Sequence, residues 1–353
     1  MTRIHFDLGT AYDLFISLLV LHHPADFGLR PSWAAGVRSR IPAPQREFFE
    51  GSRSFLLTPF HWLHGLPPAT RNAGAVLTAL RQVPPAQRLP RLAINPETPS
   101  ELAAALQAIA ANGKASRAER EILKADLQKK RHSPPPDALE TIVSAWSDPA
   151  AFGDTYLEAL EAYYAAFFAE EEARIAPALQ SGLNTAQALA GRLPLDQLVE
   201  RLSRGVQIES LMSVDELVLV PSYWSSPLIF FQHLGVQQAL LVFGCRPQDQ
   251  SLVPGDQVPA ALLSALKALS DPTRLRILRY LAGTPLTPGQ LASRLRLRAP
   301  TVIHHLNALR LAGLVQINLH NEGERRYALR QEALELVTAG LLDFLQPGDE
   351  DVS

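Results

Sequence analysis

The sequence predicts a mainly helical chain with small β elements, divided between a long helical front module and a compact C-terminal domain. Three observations predict it. Apolar residues recur at helical spacing between proline-bearing breaks, and three short Val-, Ile- and Phe-rich runs interrupt that period near 216–245. Arginine then crowds into the segment that follows. At 353 residues, 47% hydrophobic and 19% charged, the chain is long enough for two or three domains of ~150 residues. That composition, with 28 Pro beside 20 Gly, excludes a disordered chain, a collagen and a coiled coil.

Residues 1–147 read as short helices separated by Pro24, Pro31, Pro42, Pro59, Pro67 and Pro84, with aromatics dense near the start. The run "LFISLLVL" (14–21) is too short to span a membrane. Asp7 and Asp13 precede it where a leader would carry basic residues, so it is not read as a signal peptide. A helix over 98–113 is expected to start with Thr98 or Ser100 as cap and to stop at Gly113. A basic helix or linker, 114–133, leads to the break "SPPPD".

Residues 148–245 read as further helices plus a sheet, continuous with the same module. Phe152, Tyr156, Leu160, Tyr163, Tyr164 and Phe167 keep helical spacing to about 176, and separate helices are expected near 178–191 and 194–204. "ELVLVPS", "PLIFFQH" and "QALLVFGC" are expected to form a small three-stranded antiparallel sheet. The polar, aperiodic stretch 246–258 reads as a linker, 259–346 as the C-terminal domain and 347–353 as a tail.

The charge is uneven. Residues 259–331 hold eleven basic and three acidic residues, a net +8, while the other 280 residues hold 22 basic and 32 acidic, a net −10. Ten of the eleven cations are arginine, whose planar fork suits phosphate and guanine. The overall −2 therefore conceals a basic domain, although a merely solvated basic face would give the same count.

That domain has a readable helical grammar. A helix ends near Ser270, and Asp271 and Pro272 then supply an N-cap and first position. Leu275, Leu278 and Leu281 form the expected core stripe of the second helix. "TPGQLASRLRL" gives a short third helix, and after a tight turn "PTVIHHLNALRLAGLV" gives a fourth that stops at Gly313. Two short helices joined by a tight turn form a helix-turn-helix. "VQINLH" and "RRYALR" around "NEGE" add a two-stranded wing, and "QEALELVTAGLLDFL" a closing helix.

At 100° per residue Val302, Leu306 and Leu309 face inward, while Thr301, His304, Asn307 and Ala308 face outward, with Ile303 and His305 on the flanks. Side chains of these sizes reach base edges from the major groove. Arg298 and Arg310 are placed for phosphates, and Arg325 and Arg326 for the minor groove beside the wing.

"LKALSDPTRLRILRYL", "PTVIHHLNALRLAGLV" and "EGERRYALR", in that order, resemble the ArsR-type (arsenic-repressor) family of winged-helix regulators over roughly 259–346, a quarter of the chain. The resemblance implies a homodimeric repressor on a twofold-symmetric DNA operator, dimerised through the first and last helices of the domain. Here Leu262, Leu266, Leu334, Val337, Leu341 and Leu345 would carry that contact. Departures are equally informative. Metal-sensing members place Cys-x-Cys at the helix that reads "PLTPGQLA" here, or Asp and His pairs on the last helix, and this chain has neither. Ile303 stands where members often carry a DNA-contacting Ser.

No other constellation reaches an active site. His61 and His64 alone do not make a zinc site, which needs three or four ligands. Cys245, the only cysteine, closes an apolar run and reads as a small hydrophobe; a single cysteine also fits a reducing cytoplasm. Ser222, Ser225 and Ser226 lack a nucleophile elbow. No catalytic residue, metal or cofactor is therefore expected. The chain is expected to act in the cytoplasm as a sequence-specific DNA-binding regulator, partnered by operator DNA, by a second copy of itself and by a candidate apolar small-molecule effector in the front module, with no membrane partner. An enzymatic front module with an appended winged helix, or a winged helix used for protein contact, remain the alternatives.

Overall fold

The computed structural model describes residues 2–345 apart from 28, 30, 53–54, 56–57, 130–134, 227, 248–258 and 320–324. Most of the expected linker, the expected tail and the turn of the wing lie outside the described residues.

The chain opens with β1 (Arg3–Phe6) and α1 (Thr10–His22). Five short helices follow: α2 (Pro31–Arg40), α3 (Ala43–Ser52), α4 (Phe60–Gly65), α5 (Ala73–Gln82) and α6 (Pro85–Ala93). Proline, whose fixed φ suits a first turn but removes a donor, opens most of them and keeps them short. Then come α7 (Ser100–Asn112), α8 (Arg117–Lys129) and α9 (Ala138–Ser147), which bury Ile109, Leu123, Leu127, Ile142 and Trp146 against one another. Gly113 takes the left-handed C-cap of α7 as expected (φ 66°), but Pro99 occupies its N-cap, and Thr98 accepts from the Asn95 amide instead.

The aromatic stripe forms α10 (Pro149–Tyr163), packed on α3, α5 and α6. One π-helical turn, Tyr164–Phe168, carries it into α11 (Ala169–Ala190). The break expected before residue 178 is absent: α11 runs through Pro177, and the inserted turn keeps both Phe167 and Phe168 buried. After α12 (Leu195–Leu202) come β2 (Val206–Ile208), β3 (Glu216–Ser222), β4 (Phe230–His233) and β5 (Gln238–Gly244).

The front sheet corrects the antiparallel expectation. Its order is β1-β3-β5-β4; β1, β3 and β5 run parallel, and only β4 is antiparallel. The reason lies in burial. Leu217, Leu219, Ala239 and Leu241 face one core with α12, while Val218, Val220, Leu240 and Val242 face the aromatic core of α1 and α10. A sheet covered on both faces needs continuous apolar runs, the pattern of buried parallel strands.

The C-terminal part comprises α13 (Ala260–Leu269), α14 (Pro272–Leu281), α15 (Pro288–Leu295), α16 (Ala299–Leu311), β6 (Val315–Leu319), β7 (Arg325–Leu329) and α17 (Gln331–Phe344). Its own core joins Ile277, Leu278, Leu281, Leu291, Val302 and Leu306. Leu275 is corrected: it is 49% exposed, and Ile277 holds the inward position. β6 and β7 form the antiparallel wing, and β2 of the front module pairs in parallel with β6, completing a three-stranded sheet.

Candidate nucleic-acid interface

The helix-turn-helix is fixed by local chemistry at each helix start. Asp271 caps α14 by accepting from the Arg274 amide at 2.9 Å, which holds its carboxyl below the usual carboxylate range. Thr287 and Gln290 form a reciprocal capping box on α15, with Pro288 in the first turn. Arg296 then turns the chain in the left-handed region (φ 58°), and Arg298 enters α16 in extended backbone ahead of Pro300. Arg274 also donates to the Ala268 and Lys267 carbonyls, locking the end of α13 onto α14.

On α16, Val302, Leu306 and Leu309 are fully buried, and these anchors fix the opposite face. Thr301, Ile303, His304 and Asn307 are exposed there, with exposed Arg298 at the helix start. His305 sits elsewhere. Its side chain is 16% exposed and Nδ1 lies 3.9 Å from Asp271 Oδ1, so it turns toward the cap of α14. Arg310 and Arg325 are half-buried and line a cleft between this domain and the front module. Arg326 is half-buried, across from Asn318 in the wing. The wing is braced by Tyr327, which exchanges backbone hydrogen bonds of 2.8 and 2.9 Å with Leu286.

The residues expected at a dimer contact divide in two. Leu262 is buried, Leu266 and Leu341 are half-buried, and Leu334 and Val337 pack against the domain core. Leu345 is exposed, and beside it α17 presents Leu336 (65% exposed), Leu342 (60%) and Phe344. The open apolar surface of α17 is therefore displaced around the helix from the face chosen by periodicity.

Elsewhere, His61 hydrogen-bonds the Arg91 carbonyl through Nε2, while His64 lies beside Asp7. Among the described residues no group of three His, Cys, Asp or Glu side chains converges as a metal site. Cys245 is half-buried, and burial raises its thiol pKa. Two buried carboxylates were not singled out as sites. Asp13 accepts from Ser222 Oγ at 2.6 Å and from the Tyr223 and Trp224 amides; burial nevertheless pushes it up to about 6. Burial raises Asp7 too, but hydrogen bonds from His64, Arg71 and Tyr12 overcome it and bring the pKa down to about 2. Both precede or open an apolar helix, and only the fold reveals their partners.

Capped helices meeting in a tight turn, an exposed second helix and a two-stranded wing define a winged helix-turn-helix domain. A profile of the arsR family of bacterial regulatory proteins matches residues 271–316. Transcriptional repressor SdpR of Bacillus subtilis is 36% identical over 90 residues, which make up 25% of this chain and 98% of that protein. HTH-type transcriptional regulator CmtR of Mycobacterium bovis is 38% identical over 92 residues, 26% of this chain and 77% of that protein. Among solved structures, an ArsR-like transcriptional regulator from Rhodococcus sp. RHA1 is 34% identical, with a TM-score of 0.23, and covers 24% of this chain and 76% of its own. This chain belongs to the arsR family of bacterial regulatory proteins.

Proposed function

We propose that this regulator binds a twofold operator in double-stranded DNA as a homodimer, seats α16 in the major groove, and represses transcription. The observation that carries this reading is the face of α16. Thr301, Ile303, His304 and Asn307 stand exposed on a helix pinned by three fully buried residues, and the front module leaves that face open. Short polar side chains supply base-edge contacts, and Arg298 and Arg326 supply phosphate contacts that set register. Ile303 offers a methyl-rich surface where a hydroxyl is common in the family, which favours a thymine methyl over a hydrogen bond.

Dimerisation draws support from the exposed Leu336, Leu342 and Phe344 on α17 and Leu345 just after it. Repression draws support from the function named for the Bacillus relative. No described helix is long and apolar enough to cross a membrane. We place the protein in the cytoplasm with DNA, and assign the front module a regulatory input and no catalysis.

The test is a footprint and gel-shift on the promoter of its own operon. The expected result is protection of an inverted repeat, with affinity that falls steeply as salt rises. Equal affinity for scrambled DNA of the same length would remove the reading.

A further inference from the structure

The front module and the winged helix enclose a cleft of about 750 Å³. Its apolar walls come from both sides: Leu228 and Phe231 from the front module, Leu262 and Ala265 from α13, and Val337 and Phe344 from α17. Its charged lining is of one sign. Arg201 and Arg204 come from the front module, and Arg310, Arg325 and Arg330 from the winged helix, with no acidic side chain among the described residues of the wall. Among the described residues Arg201, Arg204, Arg325 and Arg330 form no salt bridge.

The arginines are held in place by backbone detail. Arg204 occupies the left-handed region (φ 56°), a conformation disfavoured for a long side chain. Gly205 follows at φ 90°, a conformation that suits glycine, and a Cβ there would stand 2.8 Å from Arg330 Cδ and displace that side chain. Arg330 is fixed in turn by donating to the Gly313 carbonyl at 3.0 Å. Burial lowers the proton affinity of both Arg204 and Arg330; repulsion from Arg330 adds to the effect on Arg204 and repulsion from Arg201 to that on Arg330, while Glu332 and Glu200 partly offset it for Arg330. Guanidinium groups that share one cleft, four of them half-buried, favour a counter-anion, and their fork suits a carboxylate or phosphate.

We propose that this cleft is a binding site for an amphipathic organic anion, with a carboxylate or phosphate head on the arginines and an apolar body between α13, α17 and the front module. A cleft of this size, mostly apolar with a few convergent charged groups, is the usual form of a small-molecule site. This refines the expected effector from apolar to anionic-amphipathic and moves it from the aromatic interior of the front module to the boundary with the winged helix. The site rests on the regulator reading only for its regulatory consequence.

The experiment is calorimetric titration of the full chain, without DNA, with decanoate, monodecyl phosphate, decanamide, acetate and inorganic phosphate below any micelle concentration. One of the two long-chain anions is expected to bind once per chain, at least tenfold tighter than decanamide. Acetate and inorganic phosphate are expected to give no saturable heat, and the stronger long-chain anion identifies the head group. Arg204→Gln and Arg330→Gln should each weaken that binding tenfold or more with helical content unchanged by circular dichroism. Gly340→Phe keeps every charge and fills open space beside the cleft, since a Cβ there meets nothing within 4 Å; it should also block binding. Decanamide binding as tightly as the anions overturns the proposal, as does silence from both anions or wild-type affinity in all three variants. A change in sedimentation mass in the arginine variants without any anion binding assigns the cleft to a second copy of the chain, and overturns it too. Anion binding by a chain that ignores operator DNA would sink the regulator reading and leave this site standing.

Discussion

Val206 of the front module pairs with Ile317 of the wing, and Gly205 accepts the Ile317 amide at 3.1 Å, so the front module supplies the outer strand of the wing sheet. Strand addition at an open edge satisfies backbone groups that would otherwise meet water. It also ties the orientation of the wing to the front module through hydrogen bonds, a tighter connection than a linker provides. Gln207→Pro tests this clasp, because the Gln207 side chain is exposed and the change acts on the backbone. Loss of the pairing should remove about 1–2 kcal/mol from the winged helix, or about 5–10 °C of its melting. Scanning calorimetry of the variant should show that part melting early; an unchanged profile would mean the clasp couples nothing.

On the recognition helix, anchoring and reading separate by residue. Leu306→Ala removes a fully buried side chain and should destabilise the domain by about 2–5 kcal/mol, seen in urea unfolding. Asn307→Ala and Thr301→Ala, both exposed, should leave unfolding within about 0.5 kcal/mol of wild type yet relax discrimination by about 1–3 kcal/mol at one base position each. His305→Ala is the control. Since that ring turns to Asp271, it should change stability more than base preference. Competition gel-shifts with single-base operator variants decide among these outcomes.

Phosphate contacts carry a different signature. Arg298→Ala and Arg326→Ala should weaken binding to all sequences alike and reduce the slope of log affinity against log salt by about 1 each. Fluorescence anisotropy across a salt series measures it. A base-specific loss with an unchanged slope would place these arginines at base edges.

The winged helix was legible because its signals are local. The Asp271 cap, Pro272, Pro288 and Pro300 in first turns, and Gly313 at φ 71° each specify their own helix end within a few residues. Inward and outward faces of α16 followed from spacing alone. What the chain kept hidden depends on distant partners. β2 is three residues long and meets β6 more than a hundred residues later. β1 joins β3 across more than two hundred. The cleft arginines come from separate elements, so composition gave their charge but not their convergence. On α17 nearly every apolar position could face inward, and packing against the domain core selects Leu334 and Val337 and leaves Leu336 exposed.

Acid stability should report the Asp7 cluster, where Arg71, Tyr12 and His64 surround a 6%-exposed carboxyl. Its pKa is depressed from 3.8 to about 2. A depressed carboxyl contributes stability that is present above its unfolded pKa and is lost as pH falls through the folded one. The window is therefore pH 4 down to 2, and the contribution about 2 kcal/mol. Urea unfolding of wild type should weaken through that window by more than Asp7→Asn does. Parallel pH profiles for the two would remove the cluster from the account. Asp13, raised to about 6, works in the opposite sense. Its protonated form favours the fold, so its contribution is complete below pH 4 and fades as pH rises through 6.

Arg325 belongs both to the wing and to the cleft. An anion held on the cleft arginines competes with DNA phosphate for that guanidinium, so ligand and operator should oppose each other. Linkage requires the effect to be reciprocal: the factor by which saturating ligand weakens operator binding equals the factor by which operator weakens the ligand. Typical coupling of about 1–3 kcal/mol corresponds to a 5–150-fold change. Anisotropy titrations of operator with and without the long-chain anion measure one side, and calorimetry of the anion into the protein–operator complex the other. Arg325→Gln should weaken operator binding in the absence of ligand and abolish most of the ligand effect. If ligand binds and operator affinity stays constant, the two sites are uncoupled and Arg325 serves only one of them.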